Sequence, residues 1–519
     1  MASETSRGAS PRQKLGLCDF NLTLVCSFAL LFLCSFNYGF SDQAFASTQA
    51  TNSFAKQFGD LKPKSKKYAL PALYLSLLNS LKAGTQLFGV FVGSWISKRY
   101  GRRWCIFLMN IYALGTTAVM VSGTNRAQML TGRSPYCRDS LRPFLQHDVN
   151  DSSYIFGHAI IGDSNLSRRN IANISPRKHR NTLLVEHQVR VTSKNKDNSA
   201  WQIPIGLIFV IPTIVISLIW FVPESPRWLL LDDNPDAALS SLTRLRRTRF
   251  DKKTAYTPQV ISEEFSDLSD AVRELPTKPS DVSRIRHFLS IFSPANRQRT
   301  AIVIGLLFFQ QSTGQSFASQ YGTLFVKALH TVNPFSVTLG TNAIDIGGIL
   351  FCMLLADRVG RRPVLIISAL LQTAALLTMG GLGTADASVT AAKAGIVAML
   401  LLYSFGWSFG YAPLAYVVAA ELPSPHLREY TLRVGYTVKL VMEFVISLTY
   451  PYLEDADKAN LRGRLSFIYG SIAFLAFLFS LLFVPETRNI ELEDMDEMFR
   501  KDNLSSGNEK LKSVGKEKM

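Results

Sequence analysis

The hydrophobic residues of this chain are gathered into long blocks that polar stretches separate. A bilayer core about 30 Å thick needs about 20 mostly apolar residues per helix, and ten blocks reach that length. The blocks are Leu22 to about Ala46, Leu70–Ile96, Cys105–Ser122, Ile203–Val222, Ala301–Leu324, Val337–Ala356, Val364–Leu382, Gly395–Ala420, Leu432–Pro451 and Phe467–Val484. The pattern predicts an all-α, polytopic protein embedded in the lipid bilayer.

Basic residues lie mainly between the blocks. They cluster at Ser97–Arg103, at Arg244–Lys253, at Arg358–Arg362 and in the C-terminal tail. The positive-inside rule places such clusters in the cytoplasm, and it also accounts for the net charge of +17 without a nucleic-acid partner. The lysines between positions 62 and 67, in the first outer loop, are an exception. We expect an integral, multi-pass protein of the plasma membrane with both termini in the cytoplasm.

The blocks divide the chain into two transmembrane halves. The predicted segments are a cytoplasmic N-terminus (1–20), a first half (21–222), a cytoplasmic linker with short amphipathic helices (223–299), a second half (300–484) and a cytoplasmic tail (485–519). Residues 124–200 form an atypical polar insert whose longest apolar run is about eight residues. We therefore predict that residues 134–190 do not form two membrane-spanning helices. Most of the cysteines lie inside apolar blocks, as small hydrophobic residues, and no metal or cofactor is predicted.

Two turns share one pattern at equivalent places in the two halves. Gly93–Arg103 reads GSWISKRYGRR, and Ala356–Arg362 reads ADRVGRR. The glycine allows a tight turn, the arginines face headgroups and helix ends, and an acid pairs with them. Lys98 stands in the first copy where the second has Asp357, which puts that ion pair in doubt. This repeat resembles the cytoplasmic gate motif of the major facilitator superfamily, whose two halves are repeats.

Further motifs narrow the class. PESPRW at Pro223–Trp228 and PETR at Pro485–Arg488 follow the last block of each half. QQSTGQ begins at Gln310, FSDQ at Phe40 and FIYG at Phe467. These segments, over about residues 20–130 and 200–500, resemble the sugar porters of the major facilitator superfamily, and the fungal sugar transporters in particular.

The resemblance implies two six-helix halves with sugar bound between them. About ten spans are visible here, so we expect that the fourth and fifth helices are missing. The resemblance also implies a set of gate residues: Gly93, Arg99, Gly101, Arg102, Arg103, Glu224, Arg227, Asp357, Arg358, Gly360, Arg361, Arg362, Glu421, Arg428 and Glu486.

Amides in the seventh helix are the first candidates for substrate binding. Gln310 and Gln311 lie mid-membrane, Gln315 is one turn beyond Gln311, and Tyr321 is three turns beyond Gln310. Sugar hydroxyls donate and accept, so amides suit them. The alternative is that these amides only join helices.

Acids in the second half are further candidates. Asp345 stands where sugar porters usually carry a sugar-contacting Asn, one turn after Asn342. An ionisable group inside a membrane is a functional candidate by default, although Asp345 could be a protonated structural group.

The tenth and eleventh helices supply the remaining candidates. The resemblance places the family's sugar-stacking aromatic at Tyr416, with Trp407 nearby, and helix packing is the alternative. Lys439 and Glu443 stand where the family has Asn, and their i,i+4 spacing lets them pair. Such a pair could neutralise itself or reshape the sugar site.

Asp42 resembles the first-helix acid of proton-coupled sugar symporters. In those transporters the acid pairs with an Arg of the fourth helix, and its protonation is coupled to sugar binding. We expect that Asp42 lacks this Arg because the fourth helix is missing. A helix cap near the outer end of the span is the alternative role.

The predicted function is transport of a hexose, pentose or related sugar by alternating access, coupled to protons, and no enzyme activity is predicted. One alternative is a membrane sensor that binds sugar without carrying it, which the short tail disfavours. Another is a transport-defective product, because 134–189 has the composition of a misplaced reading frame or a retained intron. On that reading the chain as written binds or carries sugar poorly.

Overall fold

The computed structural model is helical along the apolar blocks. It describes residues 22–62, 67–133, 198–246, 258–273, 286, 288–294, 296–329, 332–385, 389–424, 427–455, 459 and 461–488. Of the polar insert at 124–200, residues 134–197 lie outside the described residues, and the prediction for 134–190 falls in that part.

The helices of the first half and the linker follow the chain in order. They are α1 (Leu22–Gln49), α2 (Asn52–Phe58), α3 (Ala72–Tyr100), α4 (Arg102–Val121), α5 (Arg126–Arg133), α6 (Ser199–Phe221), α7 (Pro226–Leu231), α8 (Pro235–Arg246) and α9 (Pro258–Arg273). A short antiparallel hairpin, β1 (Asp60–Lys62) with β2 (Lys67–Ala69), lies between α2 and α3 and pairs Leu61 with Tyr68.

The second half contains eight further helices. They are α10 (Arg297–Ser312), α11 (Gly322–Leu329), α12 (Pro334–Val359), α13 (Arg361–Leu382), α14 (Thr390–Gly406), α15 (Ala412–Glu421), α16 (Arg428–Glu454) and α17 (Leu465–Leu482). A π-helical turn, Phe317–Tyr321, precedes α11, and another, Trp407–Tyr411, joins α14 to α15. Such π turns interrupt the regular hydrogen-bond ladder and are frequent at functional sites.

The ten predicted spans are all helical, and most of the helices run a few residues beyond their apolar block. Within the described residues, six of them are long and apolar enough to cross a membrane on length and composition alone. Large apolar side chains face outward, such as Phe88 (74% exposed), Phe221 (69%) and Leu482 (68%). Such a surface suits lipid tails, which exclude water as a protein core does.

Each half has its own apolar cores. In the first half Phe54, Phe58 and Trp201 are buried and meet edge to face or tilted. In the second half, α13 packs along α17, and buried side chains such as Val364 and Ala476 fill the space around them.

The two halves meet along α3 and α16. Ser76 Oγ donates to the Leu448 carbonyl at 2.7 Å, and a Cβ on Gly84 would lie 3.6 Å from the Phe444 ring. At the end opposite the gate turns, Lys327 Nζ donates to the Ala50 carbonyl at 2.6 Å. The halves are therefore held together at that end by direct hydrogen bonds.

The linker contains short helices, as the sequence predicted. On α8, Leu242 is 5% exposed and Leu239 is 40% exposed, which is the pattern of an amphipathic helix. Ser241 Oγ donates to the Glu224 carbonyl, so α8 is fastened to the end of the first half.

Candidate functional site

A polar cavity lies between α1 of the first half and the broken helices of the second. Its volume is ≈ 40 Å³. The polar side chains that line it come from α1, from the α10–α11 break, from α12 and from α14: Gln43, Gln315, Thr338, Thr341, Asn342, Asp345 and Ser404.

Two polar atoms in this cavity lack a partner among the described residues. They are Asp345 Oδ1 and Asn342 Nδ2, one turn apart on α12. By contrast, the Thr341 hydroxyl donates back to the Val337 carbonyl at 2.8 Å. A buried donor or acceptor without a partner costs about 1–3 kcal/mol. A ligand hydroxyl that reached these two atoms would satisfy an acceptor and a donor that have no partner among the described residues.

The breaks in the seventh and tenth spans contact each other. Gln311 Nε2 donates to Ser316 Oγ at 2.5 Å across the first break, and Gly314 has φ 100° there. Trp407 Nε1, at the second break, donates to the Gln310 carbonyl at 3.3 Å. Gln310 Oε1 is a buried acceptor without a partner among the described residues. Gln310, Gln311 and Trp407 therefore take part in hydrogen bonds that hold the helix break in place. This break positions Gln315 at the cavity.

Two predicted aromatic residues pack against other tyrosines. Tyr321 is fully buried, stacks on Tyr450 with ring centroids 4.4 Å apart, and donates to the Ser447 carbonyl at 2.8 Å. Tyr416 stacks on Tyr436 with centroids 5.7 Å apart. Both rings are engaged by protein partners.

Lys439 and Glu443 form the ion pair that their spacing predicted, with Nζ and Oε2 3.6 Å apart. Glu443 is 4% exposed. Of the ten residues predicted to bind substrate, the cavity brings together Gln315, Asn342 and Asp345. The sequence interpretation missed Gln43 and Ser404 as lining residues, although a polar side chain inside an apolar block was the available signal.

Asp42 pairs with an arginine, which was not expected from the sequence. Arg133 Nη2 lies 3.2 Å from Asp42 Oδ1, and Lys82 Nζ lies 2.7 Å from the same oxygen. The expectation of an isolated acid is therefore wrong. The reason is that the first residues of the polar insert form α5, which ends at Arg133 and brings its guanidinium over the Phe45 ring at 3.9 Å.

The two gate turns have the same geometry. Glu224 accepts hydrogen bonds from the backbone N–H of Arg102 at 3.0 Å and of Arg103 at 3.2 Å. Glu486 accepts from the backbone N–H groups of Arg361 and Arg362 at 2.9 and 3.1 Å. Each carboxylate therefore caps the N-terminus of the next helix, where free N–H groups and the helix dipole favour negative charge.

The remaining gate residues surround these caps. Arg361 Nη2 lies 3.5 Å from Glu421 Oε1, and Arg488 donates to the Arg358 carbonyl at 2.6 Å. The Gly93 carbonyl accepts from the Cys105 thiol at 3.5 Å. Arg99 is exposed near the end of α3, Arg227 lies in α7, and Arg428 begins α16. The side chain of Asp357 lies outside the described residues.

These features define a major facilitator transporter, and comparison with known proteins places the chain within that class. The family profile described as "Sugar (and other) transporter" matches residues 24–134 and 172–499. The chain belongs to this family, whose members are transporters rather than enzymes. The match leaves out residues 135–171, inside the polar insert, and resumes earlier than the sequence pattern indicated.

Three curated relatives come from fungi. The chain is 26% identical over 443 residues to the major facilitator-type transporter ecdD of Aspergillus rugulosus, covering 82% of this chain and 77% of the relative. It is 24% identical over 493 residues to the low-affinity glucose transporter HXT3 of Saccharomyces cerevisiae, covering 89% and 80%. It is 26% identical over 450 residues to the high glucose sensor RGT2 of the same yeast, covering 82% and 54%.

Solved structures show the same fold. The proton:xylose symporter XylE bound to 6-bromo-6-deoxy-D-glucose superposes with a TM-score of 0.66 at 17% identity, covering 92% of this chain and 99% of that one. An inward open form of the xylose transporter XylE from E. coli gives 0.62 at 16% identity, covering 91% and 99%. The predicted fold is confirmed.

Proposed function

We propose that the protein carries a hexose, pentose or related sugar across a membrane by alternating access, coupled to protons. The observation that carries this proposal is the polar cavity with Asp345 Oδ1 beside Asn342 Nδ2, both without a partner among the described residues. A sugar hydroxyl can donate to the first and accept from the second. The names of HXT3 and XylE, glucose and xylose transporters, support the same class of cargo.

A contact between the halves supports a mechanism in which they must separate. The hydrogen bond from Lys327 to the Ala50 carbonyl holds the halves together at the end opposite the gates. Entry of a sugar from that side requires this bond to break, as rocking of one half against the other would do.

The coupling and the location belong to the same proposal. Asp42 and Arg133 form a partly buried ion pair between α1 and α5, and ionisable groups inside a membrane mark proton pathways. The clusters of basic residues support termini in the cytoplasm, and a place in the plasma membrane is part of the same proposal.

Binding is tested by calorimetric titration of the purified full chain with D-glucose and D-xylose. We expect at least one sugar to bind, and Asp345→Ala to weaken its binding about tenfold or more, since a hydrogen bond to a charged group contributes about 1.5–3 kcal/mol. Asp232→Ala removes an exposed carboxylate at the end of α7 and should leave the affinity unchanged. If neither sugar binds, or if Asp345→Ala binds normally, the proposed site is wrong.

Transport is tested by measuring sugar uptake in a yeast strain that lacks hexose transport. Two versions are compared, the chain itself and one in which residues 134–197 are replaced by the matching stretch of HXT3. If the protein is a carrier, yeast that expresses the second version should take up sugar. Binding without uptake by either version would favour a sensor, the role that the name of RGT2 suggests, although the chain matches only 54% of that protein.

A further inference from the structure

One carboxylate oxygen in the first half receives two cations from two different helices. Asp42 Oδ1, on α1, lies 2.7 Å from Lys82 Nζ on α3 and 3.2 Å from Arg133 Nη2 on α5. The side chains of Lys82 and Arg133 are 3% and 2% exposed, and that of Asp42 is 17% exposed, so both cations are buried while the acid keeps partial access to water. A lysine in the middle of α3 and facing this acid has no role in the function described so far.

The contacts distinguish two places for a transported proton. If the proton binds Asp42, the negative charge between Lys82 and Arg133 disappears, and both ion pairs are lost while the two cations remain. If the proton instead leaves Lys82, the Arg133–Asp42 pair stays intact and a neutral amine remains beside it. Because uncompensated buried charges are strongly unfavourable, the second exchange disturbs the cluster less.

The other charged groups on the helices packed around the cluster have partners of their own or lie at helix ends. On α16, which packs along α3, Lys439 and Glu443 pair with each other at 3.6 Å. At the ends of the same helix, Glu454 interacts with Tyr450, and Arg428, Glu429 and Arg433 lie in its first turns. On α5, Arg126 binds Asp60. The charged residues of α4, Arg102 and Arg103, lie at the gate end. On α11, which contacts α1, Lys327 donates to the Ala50 carbonyl, and α6 has no charged residue.

We propose that Lys82, and not Asp42, holds the proton that moves with the sugar. In the loaded state Lys82 is an ammonium bound to Asp42, and unloading releases one proton to water and leaves a neutral amine. Asp42 stays ionised throughout and positions the amine, and Arg133 keeps the carboxylate paired in both states. This inference rests on the proposed function, because it concerns the coupling of that same transporter.

The test measures sugar affinity against pH by calorimetry on the full chain. The proton-loaded form binds sugar better, so wild-type affinity should fall as the pH rises, by about tenfold or more between about pH 5.5 and 8.5 for one linked proton. Lys82→Arg keeps a cation that cannot lose its proton, so its affinity should change less than about twofold over the same range. Calorimetric titration of the protein with sugar in two buffers of different ionisation enthalpy measures directly how many protons are taken up or released on binding.

Two further variants complete the design. Lys82→Met leaves the Arg133–Asp42 pair and should also lose the linkage over this range. Lys56→Arg, an exposed lysine on α2, is the matched control and should keep it. A melting curve for each variant shows that it is folded, and Lys82→Arg keeps size and charge if Lys82→Met is unstable.

The outcomes separate the coupling from the function itself. Proton linkage that survives in Lys82→Arg would place the proton elsewhere and overturn the inference. A wild-type protein that binds sugar with no pH dependence would overturn it as well, while leaving the sugar site standing. A wild-type protein that binds neither D-glucose nor D-xylose would overturn the proposed function, and the inference with it.

Discussion

The gate turns of the two halves are alike in their caps and differ in what holds their first arginine. Glu224 and Glu486 accept the same pair of backbone hydrogen bonds at the start of α4 and α13. In the second half, Arg361 also pairs with Glu421 at the end of α15, 3.5 Å away. In the first half, the equivalent Arg102 donates to Ser225 Oγ at 3.0 Å, within the same turn.

The difference follows from the order of the spans. Glu421 ends the tenth span, and by the repeat of the two halves its counterpart would end the fourth. α5 lies where a fourth span would begin, and residues 134–197 lie outside the described residues. The cap is therefore a local device that each half builds on its own, whereas the second contact of the arginine depends on a distant helix.

Replacement of residues 134–197 gives the largest expected effect on this comparison. With the fourth and fifth helices of HXT3 in that place, the first half gains the spans that alternating access needs. We expect uptake of glucose in a hexose-transport-deficient yeast to rise about tenfold or more, since both halves must rock around the site, and growth on glucose to be restored. If the chain is the transport-defective product given as the alternative, it should not restore growth by itself. Robust, pH-dependent uptake by the 519-residue chain would contradict this prediction.

The second-largest effect is expected from the glycines of the two gate turns. Gly101 and Gly360 have φ of 91° and 111° with ψ of 170° and 166°, a region that side chains do not tolerate. A Cβ would lie 2.7 Å from Glu224 Oε2 in the first turn and 2.5 Å from Glu486 Oε2 in the second. We expect Gly101→Ala and Gly360→Ala each to lower the free energy of unfolding by about 2 kcal/mol.

Thermal unfolding of the purified variants measures this loss. Gly347→Ala in α12, where an added Cβ meets nothing within 4 Å, is the matched control. A stable Gly360→Ala beside an unstable Gly101→Ala would show that the two turns are not equivalent.

Much of the fold could be predicted from the sequence because hydropathy and basic clusters are local signals. Each of the ten apolar blocks is a helix, and the repeated GRR turns were correctly expected at equivalent places. The Lys439–Glu443 pair was also predictable, since both residues lie on one helix face. The features that the sequence did not predict depend on contacts between helices.

The Asp42 cluster illustrates this limit. Arg133 was visible near the start of the polar insert, but nothing local showed that α5 would bring it against α1. Lys82 gave a weaker signal still, because a lysine in an apolar block does not say which helix holds its partner. Similarly, Tyr416 was expected to stack on a sugar, and its stacking on Tyr436 depends on how α15 and α16 meet.

The capping carboxylates give a smaller effect than the glycines. Glu486→Gln removes the negative charge at the start of α13 but keeps one acceptor oxygen, so we expect a loss of about 1 kcal/mol in the free energy of unfolding. Glu224→Gln should cost about the same, since the caps are equivalent. A difference of more than about 1 kcal/mol between the two variants in thermal unfolding would contradict the equivalence of the caps.

The smallest expected effect tests the contact that only the second half shows among the described residues. Glu421 accepts from Thr487 Oγ1 at 2.5 Å and pairs with Arg361, and its side chain is 30% exposed. A partly exposed ion pair contributes little, so Glu421→Gln should lower the free energy of unfolding by about 0.5 kcal/mol, or about 1 °C in Tm. Double-mutant analysis with Arg361→Met isolates the pair, and Arg102→Met, whose guanidinium donates to Ser225 instead, is the matched control. If Glu421→Gln coupled as strongly to Arg102→Met as to Arg361→Met, the contact between α15 and α13 would not be specific to the second gate.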